Sequence, residues 1–128
     1  MSLFDSSAII NLCGCGKVEK LFGGWTLNLA FYELGNAVWK QVHVRKVISV
    51  DEAGVLLDLF VQVFGVLRKP EMEDGSKVLK VAVKESLSYY DAAYVSAALE
   101  NGLVLVTDDE RLCRIGKKYV ETVSSNEL

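Results

Sequence analysis

Two short apolar runs, each turning within a residue or two into a helical pattern, constrain this chain more than any other feature. Residues 2–4 read as a strand that passes through Asp5 into Ser6-Ser7-Ala8-Ile9-Ile10, where an apolar helix begins. Residues 103–106 are unbroken apolar, bounded by Gly102 and Thr107, the pattern of a strand buried on both faces in the middle of a parallel sheet. Between them the helical signals are strong. Phe31, Leu34, Val38 and Val42 recur at spacings of three and four, marking one face of a helix from residue 30 to about 44. Ser49-Val50-Asp51-Glu52 has the form of a capping box and places a helix start there. Pro70 ends that helix, because it removes a donor and disfavours helix in the residue before it. Residues 75–85 are amphipathic, Ser88 opens a helix running to Asn101-Gly102, and residues 109–115 read as a further helix. A short amphipathic helix is expected at 18–22, a second strand at 25–29 and an edge strand at 119–123. Short apolar strands alternating with longer helices define an α/β fold with helices on both sheet faces. We therefore expect a three-layer α/β/α sandwich around a mainly parallel sheet of four to five short strands.

The size fits one such unit. A chain of 128 residues that is 51% hydrophobic can bury one good core and not two, so a single domain over 1–128 is expected. The most apolar stretch, VLLDLFVQVFGVL at 55–67, is interrupted by Asp58 and Gln62 and is shorter than the roughly 20 residues that cross a bilayer. It reads as a buried helix, with Leu56, Leu57, Leu59, Phe60, Val63 and Phe64 available either to the core or to a partner. No basic region precedes an apolar run at the start, so a cytoplasmic, membrane-free protein is expected. Cys13, Cys15 and Cys113 lack structural-zinc spacing and cannot all pair in one chain, which leaves three thiols or one bridge from Cys113. His43, the single histidine, stands far along its helix from any acid and has no catalytic assignment.

Four acids stand beside apolar strands or on apolar helices: Asp5, Glu33, Asp91 and Asp109. A carboxylate among residues such as Phe31, Tyr32, Tyr90 and Ala93 loses hydration, at a cost unless a cation or several donors replace the water. In a parallel sheet all strands end on one edge, where ligands bind and helices begin. Helix capping competes as an explanation there: Asp5 can cap the first helix, Asp108 the helix after Val106, and Asp91 can close a capping box with Ser88. Glu33, inside its helix, and Asp109, a second acid where one cap needs only one, resist it. A shared site for magnesium or manganese, hard ions that prefer oxygen, accounts for all four. A bound ion can acidify a water and stabilise a leaving oxygen, which suits hydrolysis of a phosphodiester. The net charge of −3 speaks against a generally basic nucleic-acid binder, but adding four positive charges at the acids to −3 leaves +1. Lys17, Lys20, Lys40, Arg45, Lys46, Arg111, Arg114, Lys117 and Lys118 are then candidate phosphate contacts, with Lys17, Lys40 and Arg111 the foremost.

The order Asp-Ser-Ser-Ala-Ile, Glu-Leu-Gly-Asn, Tyr-Tyr-Asp-Ala-Ala-Tyr-Val-Ser-Ala-Ala and Leu-Val-Leu-Val-Thr-Asp-Asp-Glu-Arg-Leu resembles a PIN domain over nearly the whole chain. More narrowly it is similar to VapC-type ribonuclease toxins of prokaryotic toxin–antitoxin pairs. The resemblance implies an α/β/α sandwich and magnesium- or manganese-dependent cleavage of RNA. It matches Asp5, Glu33, Asp91 and Asp109 to the family's acids, with Asp108 the weaker candidate of the last pair. Ser7 and Asn36 match polar partners that orient carboxylates or a water from behind, a place given also to Thr107. A cognate antitoxin covering the acidic cleft and a homodimer are implied with it. The expected function is therefore an endoribonuclease using a metal-activated water, with an RNA-processing or DNA-directed relative, or a non-catalytic interaction module, as the alternatives.

Overall fold

Leu3 and Leu105 project to one face of the sheet and Phe4 and Val106 to the other, and this alternation sorts the helices into two layers. The computed structural model describes residues 1–72 and 74–128. Strand β1 (Ser2–Phe4) leads into α1 (Ser6–Gly14), a 3-10 turn (Val18–Leu21), α2 (Leu29–His43), α3 (Val50–Val66), α4 (Gly75–Glu85) and α5 (Tyr89–Asn101). Strand β2 (Val104–Val106), α6 (Glu110–Gly116), β3 (Thr122–Val123) and a final 3-10 turn (Ser125–Glu127) complete it. Phe4 and Val106 pack with Ala8, Ile9, Leu34, Val38, Phe60 and Val63, so α1, α2 and α3 form one layer. Leu3 and Leu105 pack with Val78, Ala82, Tyr94, Val95, Leu112 and Ile115, so α4, α5 and α6 form the other. The three-layer α/β/α class follows directly.

The strands run parallel in the order β1-β2-β3, with Phe4 opposite Val106 and Val106 opposite Val123. Two further segments extend the sheet beyond β1, each through a single residue: Trp25 bridges Leu3, and Arg68 bridges Trp25. Five chain segments thus lie side by side, three as strands and two as single bridges. The strand expected at 25–29 shrinks to Trp25 because the Thr26 hydroxyl donates to the Phe4 carbonyl at 2.7 Å and Leu27 already accepts the Ala30 amide. The strand expected at 119–123 shortens to Thr122–Val123 because helical turns continue through the Tyr119 and Val120 amides, both donating to the Gly116 carbonyl.

Helix ends follow local chemistry. Ser49 accepts the Glu52 amide at 3.1 Å while the Glu52 carboxylate takes the Ser49 amide at 3.2 Å, the reciprocal box read in the sequence. The apolar run in α3 divides its residues: Phe60 and Val63 are buried, Leu56, Leu57 and Phe64 half-buried, and Leu59 exposed. Helix α5 is buried continuously from Ala92 to Ala98, since its alanines let α4 and the sheet approach closely. Among the described residues no helix is long and apolar enough to cross a membrane.

Gly24 is where the layers press hardest on the backbone. A Cβ there would lie 2.5 Å from Phe4 Cε2 and 3.0 Å from the Leu21 carbonyl oxygen, whereas one at Gly54, on the outer face of α3, would meet nothing within 4 Å. Gly24→Ala is expected to cost about 1–3 kcal/mol by overpacking, and Gly54→Ala to stabilise by about 0.5–1 kcal/mol through helix propensity. Denaturant unfolding of both variants checks this, and effects of the same sign would contradict the packing described.

Candidate functional site

Because Phe4 pairs with Val106, the residues that follow, Asp5 and Thr107, leave the sheet as neighbours. The Asp5 amide still donates to the Val106 carbonyl at 3.1 Å, the last rung of the ladder. Its side chain then turns into a dense set of donors. The buried Thr107 hydroxyl donates to one carboxylate oxygen. Ser7 donates to the other at 2.6 Å, and the same oxygen takes the Ala8 amide at 2.9 Å, so Asp5 caps α1. Both hydroxyls are used twice: Thr107 Oγ1 accepts the Asp109 amide at 3.1 Å and Ser7 Oγ accepts the Asp108 amide at 2.9 Å. Asp5 is 5% exposed. Burial pushes its carboxyl up to about 6, against the pull of the Ser7, Thr107 and Ala8 bonds and with the charge of Asp108 adding to the rise.

The remaining acids arrive from three helices. Glu33, half-buried in the second turn of α2, accepts the Tyr94 hydroxyl at 2.7 Å. Desolvation raises its carboxyl, the Tyr94 bond opposes, and the charges of Asp5 and Asp91 raise it further. Asp91 stands in the first turn of α5 and is raised by desolvation and then by Asp109, with Arg111 opposing. Asp109 is exposed and caps α6 by accepting the Leu112 amide at 2.9 Å. Glu33 thus senses Asp5 and Asp91, and Asp91 senses Asp109: one field joins the four. Arg111, flanking Asp91, donates its guanidinium to the Ser86 carbonyl.

Asp108 and Asp109 exchange the roles the sequence suggested. Asp109, not Asp108, is the helix cap, because the backbone at Asp109 is extended and its carboxylate faces the free amide of Leu112. Asp108 directs its two oxygens to the Asn11 side-chain amide at 2.9 Å and the Ser125 amide at 2.8 Å, tying α1 to the last turn. The spare-acid argument for Asp109 therefore does not hold. Asp91 completes half of a box: its amide donates to Ser88 Oγ at 3.1 Å without the reciprocal bond.

The other candidates spread out. Asn36 is exposed and lines a cavity of about 290 Å³ with Leu29, Tyr32, Glu33 and Tyr90. Lys40 is exposed on α2, seven residues beyond Glu33 and so about 10 Å along the axis. Lys17 is not brought to the site, since α1, about 13 Å long, separates its turn from Asp5. Cys13, Cys15 and Cys113 are all free thiols. A second cleft of about 590 Å³, including Thr107, Asp109, Arg114 and Lys117, opens on the far side of Asp109.

Sequence reasoning missed Tyr94. It is 1% exposed, and its hydroxyl is held protonated by desolvation and by Glu33, which makes it a fixed donor. The signal was available, because Asp91 and Tyr94 stand three apart on one helix and so share a face. Asn11 was also missed, and nothing local marked it.

As a group these donors are oxygen throughout, which suits magnesium or manganese rather than zinc or copper. The raised carboxyls of Asp5, Glu33 and Asp91 are the electrostatics that a cation relieves. Among the described residues no three Asp, Glu, His or Cys side chains converge closely enough to grip an ion as they stand. Asp5 is turned to Thr107, Ser7 and Ala8, and Asp109 to Leu112.

Fold and site together define a class. The family model for the PIN domain matches residues 3–118, and the chain belongs to that family. Within it the resemblance is to VapC-type proteins of Pyrobaculum aerophilum. The chain is 41% identical over 86 residues to a protein named Exonuclease VapC9, covering 67% of this chain and 62% of that one. It is 36% identical over 91 residues to Ribonuclease VapC3, covering 68% and 66%. The matched segments thus span a little under two thirds of these relatives' lengths. The crystal structure of PAE2754 from the same organism superposes with a TM-score of 0.82 at 30% identity, over 98% of this chain and 91% of that one.

Burial of Asp5 has a stability signature. The ordinary carboxyl value of 3.8 becomes about 6 in the fold, a difference worth about 3 kcal/mol. The folded state holds the proton more tightly, so this contribution is fully present below 3.8 and is lost as pH rises through about 6. Asp5→Asn is expected to stabilise the ion-free protein by up to about 3 kcal/mol near pH 7, with the gain gone at about pH 4. Thermal melts at both pH values test it, and an equal effect at the two would refute the burial assignment.

Proposed function

We propose that this protein is a divalent-metal-dependent ribonuclease that hydrolyses phosphodiester bonds, acting as the toxin of a toxin–antitoxin pair. The observation that carries the reading is the grouping of Asp5, Glu33, Asp91 and Asp109, where burial raises the carboxyls of Asp5, Glu33 and Asp91, with the charges of Asp5 and Asp91 adding to the rise at Glu33 and that of Asp109 to the rise at Asp91. Magnesium or manganese, when bound, supplies a Lewis acid for a phosphoryl oxygen and lowers the pKa of a water. The four carboxylates would hold it. Tyr94 holds one Glu33 oxygen from behind, and Thr107 and Ser7 hold Asp5 in the same way. Arg111, already beside Asp91, is placed to meet a phosphate from the flank. Asn36, exposed on the rim beside Glu33, can orient a water or a substrate hydroxyl there.

The VapC resemblance also supports a cognate antitoxin and a homodimer, and both belong to this proposal. The name of one relative, Exonuclease VapC9, favours a second mode of attack, from chain ends rather than within the chain. Linear and circular RNA of the same sequence separate the two, because only an internal cut opens the circle.

Manganese is expected to bind by calorimetry and to support RNA cleavage. Glu33→Gln and Asp91→Asn should each lower cleavage by about a hundredfold or more, as loss of transition-state electrostatics does. Asp109→Asn should weaken binding and Asp108→Asn should not, since Asp108 is committed to Asn11 and Ser125. Affinity should fall as pH drops through about 6, where Asp5 takes up a proton. If no manganese binds and no RNA is cut by the partner-free protein, the proposal is wrong.

A further inference from the structure

Helix α2 carries its unusual residues on its outer side, leading away from Glu33. Tyr32, Asn36, Trp39 and His43 are spaced four, three and four apart and fall on one stripe of the helix. All four are exposed, Tyr32 at 74% and Trp39 at 50%. The stripe begins at the cavity that Tyr32 and Asn36 line together with Glu33, and runs for about 16 Å along the axis. Two contacts hold its aromatic rings in place. Tyr32 meets Phe31 edge-on with centroids 5.2 Å apart, and His43 stacks on Trp39 at 5.1 Å with planes 16° apart.

The charge along this segment is one-sided. Although the chain's net charge is −3, no acid occurs between Glu33 and Asp51, and Lys40, Arg45 and Lys46 all fall in that interval. All three are exposed. Lys46, three residues past the end of α2, adopts a left-handed conformation with φ of 55°, a position where glycine is the unstrained choice. A cation thus stands where local geometry favours having no side chain. Flat rings on an exposed stripe, cations beside it and no acid among them complement a polyanion that carries flat bases. They do not complement an apolar helix, which would need a continuous apolar face.

We propose that the Tyr32–Asn36–Trp39–His43 stripe, with Lys40, Arg45 and Lys46, is a stacking track for a single strand of RNA entering or leaving the carboxylate site. This rests on the nuclease reading and adds the path of the strand to it. Bases stack on Trp39 and Tyr32, and the cations meet the phosphates, a mode that tolerates many sequences because every base has a face to stack.

Binding of short fluorescent oligo(A) and oligo(U) RNA to the full chain in EDTA tests the track without chemistry. Trp39→Ala is expected to weaken binding by about five- to a hundredfold, with Trp39→Phe keeping much of the affinity. Arg45→Gln with Lys46→Gln should reduce the slope of log K against log salt by about 0.7 for each phosphate no longer neutralised. A merely structural residue would not move that slope. Affinity and slope unchanged in these folded variants would overturn the track, whether or not manganese-dependent cleavage is seen. Binding that depends on Trp39 without any cleavage would support the track and count against the nuclease reading alone. If Trp39→Ala instead dissociates an oligomer in sedimentation and leaves RNA affinity intact, the stripe is a protein interface and the proposal fails.

Discussion

The buried hydrogen bond from Thr107 to Asp5 joins residues 102 positions apart and depends on the parallel pairing of β1 with β2. Everything at the site follows from it. Pairing in this register releases Asp5 and Thr107 side by side at the end of the sheet, and the Thr107 hydroxyl then receives the Asp109 amide, setting the start of α6. Ser7 repeats the arrangement one step out, donating to Asp5 while accepting from Asp108. A register slip of one residue would exchange the faces of Leu3 and Phe4 and separate the whole set, so the apolar alternation that builds the core also holds the proposed site together.

The same arrangement carries a stability penalty. A carboxylate at 5% exposure, and neighbours whose charges raise one another, oppose folding at neutral pH unless a cation intervenes. Three hydrogen bonds to Asp5 offset part of this and keep its side chain in one rotamer. Capping therefore does not compete with the proposed chemistry here. Asp5 and Asp109 are helix caps in fact, and a helix start at the carboxyl edge of a sheet is the position that turns an acid toward the ligand side.

Much of the fold was legible because it rests on local signals. The capping box at Ser49, the stop before Pro70, the Ser88 cap and the unbroken apolar run ending at Val106 each act over a few residues. Strand lengths were not legible, because Trp25 and Tyr119 continue or leave the sheet according to hydrogen bonds made with segments far away. The same reason explains the exchange of Asp108 and Asp109. Two adjacent acids before a helix look alike in sequence, and only the positions of Asn11 and Ser125 decide which one is drawn away.

By itself the sequence determined the fold class and the helix boundaries, and it singled out four acids as candidates, because periodicity, capping and residue type are properties of short windows. Only the tertiary structure decided that Tyr94 fixes Glu33, that Asp109 caps α6, that Lys17 lies at the wrong end of α1, and that the outer stripe of α2 leads away from the acids. Those outcomes depend on the distance between segments remote along the chain. Such distances are set by packing two helical layers on one sheet, which no local pattern encodes.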